Sequence, residues 1–270
     1  MPAKGFRIIK SEEIGVRNKQ GQDEYIIAND LKSTYVYYPF EGYPDLYLSF
    51  AQIKAGPKTG VDNLIKFMNE YGFLGIDKLI RSGPGGNSMI SGEPVSELYK
   101  EIRDLNIAVG IWKFISNKEA ANLKKILQWK DESLTYKYQN GNYIEWVLIA
   151  SPRHNPEYLK IIDKNNFVSA ARLIILHKVN KKLSKHTDTK LFIDHKGKAF
   201  QKIYITPKNL LGVIWIQFAL SISSNIKIGE CCNPECNHWI TEQKDYCSNA
   251  CKQKAYRIRN KQKSNRGKKS

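Results

Sequence analysis

Apolar residues recur at helical spacing over long stretches of this 270-residue chain, and period-two runs fill much of the remainder. Short amphipathic helices are expected over 44–53 and 57–71. In the second, Val61, Leu64, Ile65, Met68 and Tyr71 share one face, and Gly72 supplies a stop. Pro94 opens a longer periodic segment through Leu98, Ile102, Leu105, Val109, Trp112, Leu123, Ile126 and Trp129, with a break near Ser116 and Asn117. Another helix is expected from about 156 to 183. After Thr206-Pro207, read as an N-cap followed by proline at the first helical position, a helix carries Leu210, Leu211, Ile214, Trp215 and Phe218. It is apolar on most sides, which places it in the core. Gly229 ends that helix or the linker after it.

The strand signals are shorter. Residues 26–28 and 34–38 read as strands ahead of Pro39. Residues 134–138 and 143–149 flank Asn140-Gly141 as a hairpin, and 191–193 and 199–205 flank a turn containing Gly197 as a second one. The stretch 81–92 (RSGPGGNSMISG) reads as a glycine-rich loop. No repeat at a solenoid period is present. The expected class is mostly α (α+β): a helical N-terminal domain over 1–228 with two small hairpins, then a small module.

Composition adds a bias in charge. The chain is 41% hydrophobic, in the globular range, yet its formal net charge is +17. Residues 252–270 hold nine lysines and arginines and no acid, so about half of the surplus lies in the last nineteen residues. Such a run is often only a solvated tail. Here it directly follows the chain's cysteines, which gives it something to be anchored by.

All five cysteines fall between 231 and 251. That clustering argues against a dispersed disulfide framework. The first ten residues lack a continuous apolar stretch, and the longest apolar run, 210–222, is interrupted and too short to span a bilayer. A cytoplasmic protein with reduced thiols and no membrane partner is expected. Cys232, Cys236, Cys247 and Cys251 form two C-x3-C pairs, the economy of ligand supply that a tetrahedral metal site uses, and one structural zinc ion is the expected cofactor. Cys231 and His238 are the spare candidates. Cys231 adjoins Cys232, and neighbouring residues rarely face one ion, while His238 would break the symmetric pairing. Trp239, Ile240 and Tyr246 then serve as the small core such a module needs.

Ser248 is placed to cap a helix containing Cys251, whose inner face continues through Ala255 and Ile258. The outer face carries Lys254, Arg257 and Lys261. The module spans 229–260, and 261–270 reads as a disordered basic tail. Candidate nucleic-acid contacts are Lys252, Lys254, Arg257, Arg259, Lys261, Lys263 and Arg266.

The pattern Cys232, Pro234, Cys236 and Trp239, then Tyr246, Cys247, Ser248, Cys251, Ala255, Tyr256, Arg257 and Arg259, resembles the C-terminal zinc-ribbon or treble-clef modules of bacterial CGNR zinc-finger, ABATE-domain regulators. The body is similar more weakly, through Ser49, Phe50 and Ala51, Phe67, the run 71–75, and Pro207, Leu210, Leu211, Trp215 and Gln217. Lys252, Gln253 and Lys254 stand where that group has Gly-Asn-Arg. The resemblance implies DNA binding in transcription, with a larger domain that senses a ligand.

Other chemistry is weaker. The loop 55–60 lacks the phosphate-binding pattern, and 83–86 lacks the strand and acid of a dinucleotide fingerprint. His186, Asp188, Asp194 and His195 match no metal-ligand spacing. The expected function is a zinc-dependent DNA-binding regulator, not an enzyme, gripping double-stranded DNA while the body supplies homodimerisation or binds a small-molecule effector. An RNA-binding or protein-interaction adaptor is the alternative, and a metal-dependent nuclease ranks third.

Overall fold

The computed structural model describes residues 8–10, 13–18, 24–30, 35–54, 60–76, 78–81, 89–140, 143–150, 166–192 and 202–266. The N-terminal part runs β1 (Ile8–Lys10), β2 (Glu13–Asn18), β3 (Glu24–Asp30), β4 (Tyr35–Tyr37), α1 (Pro39–Gly42), α2 (Leu46–Ala51) and α3 (Gly60–Tyr71). The middle follows with β5 (Lys78–Arg81), β6 (Met89–Pro94), α4 (Val95–Ser116), α5 (Ala120–Ile126), β7 (Leu127–Lys130), β8 (Ser133–Asn140) and β9 (Tyr143–Ala150). Next come α6 (Phe167–His186), β10 (Thr187–Phe192), β11 (Lys202–Pro207) and α7 (Leu210–Ser223). The chain closes with β12 (Ile228–Glu230), β13 (Trp239–Thr241) and α8 (Asn249–Arg266). This is an α+β protein whose strands pair antiparallel in small sheets, the largest ordered β2-β3-β6-β5.

The core forms where α2, α4, α6 and α7 meet. Leu211, Val213, Ile214, Trp215 and Phe218 of α7 are buried, as its near-continuous apolar sequence requires. Its one interior amide, Gln217, is also buried, and its Nε2 donates to the carbonyls of Pro39 (3.2 Å) and Tyr43 (2.7 Å). The donor half of the amide is thereby paired, while Oε1 is buried without a hydrogen-bond partner. Gly212 is required here, because a Cβ at that position would run into the carbonyl of His186. In α3, Leu64, Met68 and Tyr71 are buried, and Gly72, at φ 95°, turns the chain as expected.

Beneath α7, α4 and α6 are joined by charges. Lys182 reaches Glu101 at 2.6 Å and Asp104 at 2.8 Å, and Lys178 reaches Asp104 at 2.6 Å. Burial alone would raise Asp104, but the two ammonium groups outweigh it and hold the carboxyl below its ordinary value. Glu93, fully buried, accepts from the amides of Leu74 (3.0 Å), Gly75 and Ile76 (3.0 Å), tying the turn after α3 to β6.

Several expectations are corrected. Trp129 lies in β7, not in a continuation of the long helix. Asp131, at φ 54°, and Glu132 make a two-residue turn that pairs Lys130 with Ser133, so local pairing overrides the helical period. The glycine-rich stretch is partly strand, because Met89–Pro94 pairs with both β5 and β3. The last helix of the body is capped by Asn209, whose side chain accepts from Gly212 N at 2.9 Å, while Pro207 ends β11 opposite Thr187. Gly229 lies inside β12. The break at Ser116 and Asn117 is present, and the strands of both expected hairpins pair antiparallel, the second pair beginning directly after α6 at Thr187; residues 141–142 and 193–201, which hold the expected turns, lie outside the described residues. The expected helical residues 156–165 lie outside the described residues. Among the described residues, no helix is long and apolar enough to cross a membrane.

A candidate metal centre

The C-terminal module is built from a hairpin and a helix. β12 and β13 pair antiparallel, with Glu230 opposite Trp239, and Cys231 N donates to His238 O at 2.9 Å, extending the pairing by one step into the loop. Within that loop Cys236 N donates to Asn233 O at 2.9 Å, a tight turn around Pro234 and Glu235. The second half of the module starts at Cys247. Ser248 Oγ accepts from Cys251 N at 3.2 Å, so Ser248 caps α8 as expected and holds Cys251 in its first turn.

Four thiols converge. The Sγ atoms of Cys231, Cys236, Cys247 and Cys251 all lie within 4.8 Å of one another, a set that could hold a metal ion. Three expected ligands are brought together; the fourth position belongs to Cys231, not Cys232. Cys231 is 6% exposed at the strand end, whereas Cys232 is exposed and its amide donates to Asp245 O at 2.8 Å. The first pair is therefore C-x4-C. The symmetric C-x3-C spacing favours Cys232, and the signal that brings its neighbour into the cluster is the strand pairing that runs up to Cys231.

Donors surround these sulfurs. Cys247 N lies 3.5 Å from Cys231 Sγ, and Asn233 Nδ2 lies 3.5 Å from Cys251 Sγ. The Asn233 amide holds the Cys251 thiol down, to about 7 from an ordinary 9.0. Burial pushes Cys236 up, and Cys247 likewise, so an anionic set needs a cation to share its charge. His238 Nδ1 sits 3.2 Å from Cys236 Sγ, beside the cluster and outside the four-sulfur set. That contact orients a sulfur, as an outer partner does.

The module is joined to the body. Trp239 packs against the hydrophobic core, Trp112 Nε1 donates to Ile226 O (3.0 Å), Asn117 Nδ2 donates to Ile228 O (2.8 Å), and Lys113 pairs with Glu230. An open cleft of about 550 Å³ lies at this junction, lined by Lys113, Phe114, Asn117, Lys125 and Glu230 among others. Lys244 also pairs with Asp45 at 2.5 Å.

The helix α8 turns Ala255, 1% exposed, and the half-buried Cys251 and Ile258 inward. Lys252, Lys254, Arg257, Arg259 and Lys261 are all exposed. Two of them are engaged within the module: Lys254 with Glu235 at 2.8 Å, and Arg259 with Tyr246 Oη at 2.9 Å. The helix backbone continues through Lys263 to Arg266, past the expected start of the tail, while the side chains of Lys263 and Arg266 and residues 267–270 lie outside the described residues.

His186 and Asp188 do not gather into a site. His186 is buried at the end of α6, and exposed Asp188 pairs with Lys208 at 3.1 Å; Asp194 and His195 lie outside the described residues. No family model, curated protein or solved structure matches this chain.

Proposed function

We propose that this chain is a zinc-dependent DNA-binding protein that acts as a bacterial transcriptional regulator. One observation carries the reading: the fourth thiol of the cluster, Cys251, lies in the first turn of α8, so an ion there would fix the helix that carries exposed Lys252, Arg257 and Lys261. Four thiolates suit zinc and leave no open coordination position, which makes the ion's role structural rather than catalytic. Ligands drawn from a hairpin loop and a helix start fit a treble-clef arrangement. The positive surplus of 252–270 is complementary to phosphate. The body then supplies homodimerisation or takes up a small-molecule effector, for which the cleft beside Phe114 offers an entry.

The test uses the full chain loaded with zinc. Affinity for duplex DNA, read by fluorescence anisotropy, should fall as salt rises. Arg257→Gln and Lys261→Gln should each weaken binding and lower the salt slope by roughly one. Affinity and slope unchanged in the double variant, with zinc content intact, would overturn the reading.

A further inference from the structure

The most outward line of α8 is not its most basic one. Cys251, Ala255 and Ile258 define the inner face. On a helix with 3.6 residues per turn, the line opposite them holds Gln253, Tyr256 and Asn260, at i, i+3 and i+7. All three are exposed, Tyr256 by 62%, although an aromatic ring on so polar a helix has no packing reason to face water. Cations lie to either side, Arg257 and Lys261 on one flank and Lys252 on the other, while Lys254 and Arg259 are drawn back to Glu235 and Tyr246. A helix that only gripped phosphates would put its cations on the central line.

We infer that α8 reads base pairs in the major groove of duplex DNA through Gln253, Tyr256 and Asn260, with the flanking cations on the two phosphate backbones. The inference rests on the DNA-binding reading above and names what that reading leaves open, the residues that set sequence preference. Carboxamides match the paired donor and acceptor that adenine presents in the major groove, and an aromatic ring suits a thymine methyl. The line from Gln253 to Asn260 spans seven residues, about 10 Å, or roughly three base pairs. The deep, narrow major groove of A-form RNA would not admit the helix, which favours DNA as the partner. The predicted preference is for a short core containing adenine–thymine pairs.

Selection of sites from a randomised duplex library by the full-length, zinc-loaded protein tests this, followed by titration of the selected and a scrambled duplex at matched salt. The wild type should favour the selected site, and Gln253→Ala and Asn260→Ala should each reduce that preference roughly tenfold while leaving the scrambled duplex bound as before. Lys252→Gln should weaken both duplexes equally. Equal zinc content across the variants excludes misfolding. If the wild type binds duplex DNA without preference, or the Gln253→Ala/Asn260→Ala double variant keeps its preference, the inference fails and DNA binding stands. If the wild type binds no duplex, or prefers RNA or single strands, both fail.

Discussion

Gln52 and Trp239 exchange two hydrogen bonds: Trp239 N donates to Gln52 Oε1 at 2.5 Å, and Gln52 Nε2 donates to Trp239 O at 3.3 Å. The Gln52 amide thus satisfies both main-chain groups of Trp239, as a neighbouring strand would. Gln52 follows directly on α2, and Trp239 opens β13, so a contact 187 positions apart in sequence joins the helical body to the cysteine module. The Trp239 ring is meanwhile in contact with the body's core.

Gln52→Ala should therefore destabilise the junction. Losing two partly buried hydrogen bonds costs about 2 kcal/mol, since each contributes about 1 kcal/mol net and the main-chain groups left behind are not fully rehydrated. Gln52→Glu keeps the acceptor but sets a carboxylate oxygen against the carbonyls of Trp239 and Leu48, so it should cost at least as much as alanine. Urea unfolding followed by tryptophan emission measures both. A midpoint for Gln52→Ala within error of wild type would show that the pair contributes nothing.

The cysteine assignment separates two adjacent residues. Cys232→Ser should retain about one bound metal per chain, because its side chain is exposed outside the cluster; Cys231→Ser should lose the ion or hold it weakly, having removed one of four ligands. Metal content after gel filtration, by elemental analysis, decides between them. The opposite pattern would restore the symmetric pairing.

How much of this was legible in the sequence depends on whether the determining contacts were local. The Ser248 cap, the inward line of Cys251, Ala255 and Ile258, and the buried helix around Trp215 follow from spacing alone, and each is found. Cys231 stands only as a spare candidate in the sequence, because its choice over Cys232 depends on pairing with His238 across the hairpin. Trp129 was misread because its apolar period continues that of α4 and α5, while a turn at Asp131 folds it onto Leu134. Lys182 against Glu101 and Asp104 was not seen, being a contact between helices far apart in sequence. Nor could spacing show that Lys254 and Arg259, two candidate DNA contacts, are engaged by Glu235 and Tyr246.

His186 makes stability depend on pH. Asn209 Oδ1 accepts from Gly212 N, so its Nδ2 faces His186 Nδ1 at 3.3 Å, which places the imidazole proton on Nε2. Nε2 has no hydrogen-bond partner and lies 4.0 Å from Glu101 Oε1. Burial pushes His186 down, to about 4 from 6.5; Glu101 opposes this, and Lys185, Lys182 and Lys208 reinforce it. The folded state then holds this proton less tightly than the unfolded chain, so stability is complete above pH 6.5 and falls as pH drops toward about 4. The loss should be on the order of 3 kcal/mol. Asp104 acts in a lower window: its contribution is present above its ordinary 3.8 and is lost only as pH falls through its lower folded-state value. Unfolding free energies at stepped pH should show the higher window in wild type and lose it in His186→Gln. A flat profile between pH 6.5 and 4.5 in wild type would refute the buried neutral histidine.

Removing the metal should reach the body as well as the module. An ion bound only by the folded protein stabilises it by mass action, about 4 kcal/mol at a thousandfold excess over its dissociation constant. Without it the four thiols have little to hold them together, and the hairpin of β12 and β13 has too small a core of its own. That hairpin is also a wall of the body: Ile226 O and Ile228 O accept from Trp112 and Asn117 of the α4 end, and Trp239 covers apolar surface. A chelator at neutral pH should therefore lower the urea midpoint of the whole chain and shift the emission of Trp239, a shift that Trp239→Phe removes. Re-adding zinc should restore both. If chelation releases the ion yet leaves the midpoint of the body where it was, the module folds independently and the contacts through Gln52, Asn117 and Trp239 carry little energy.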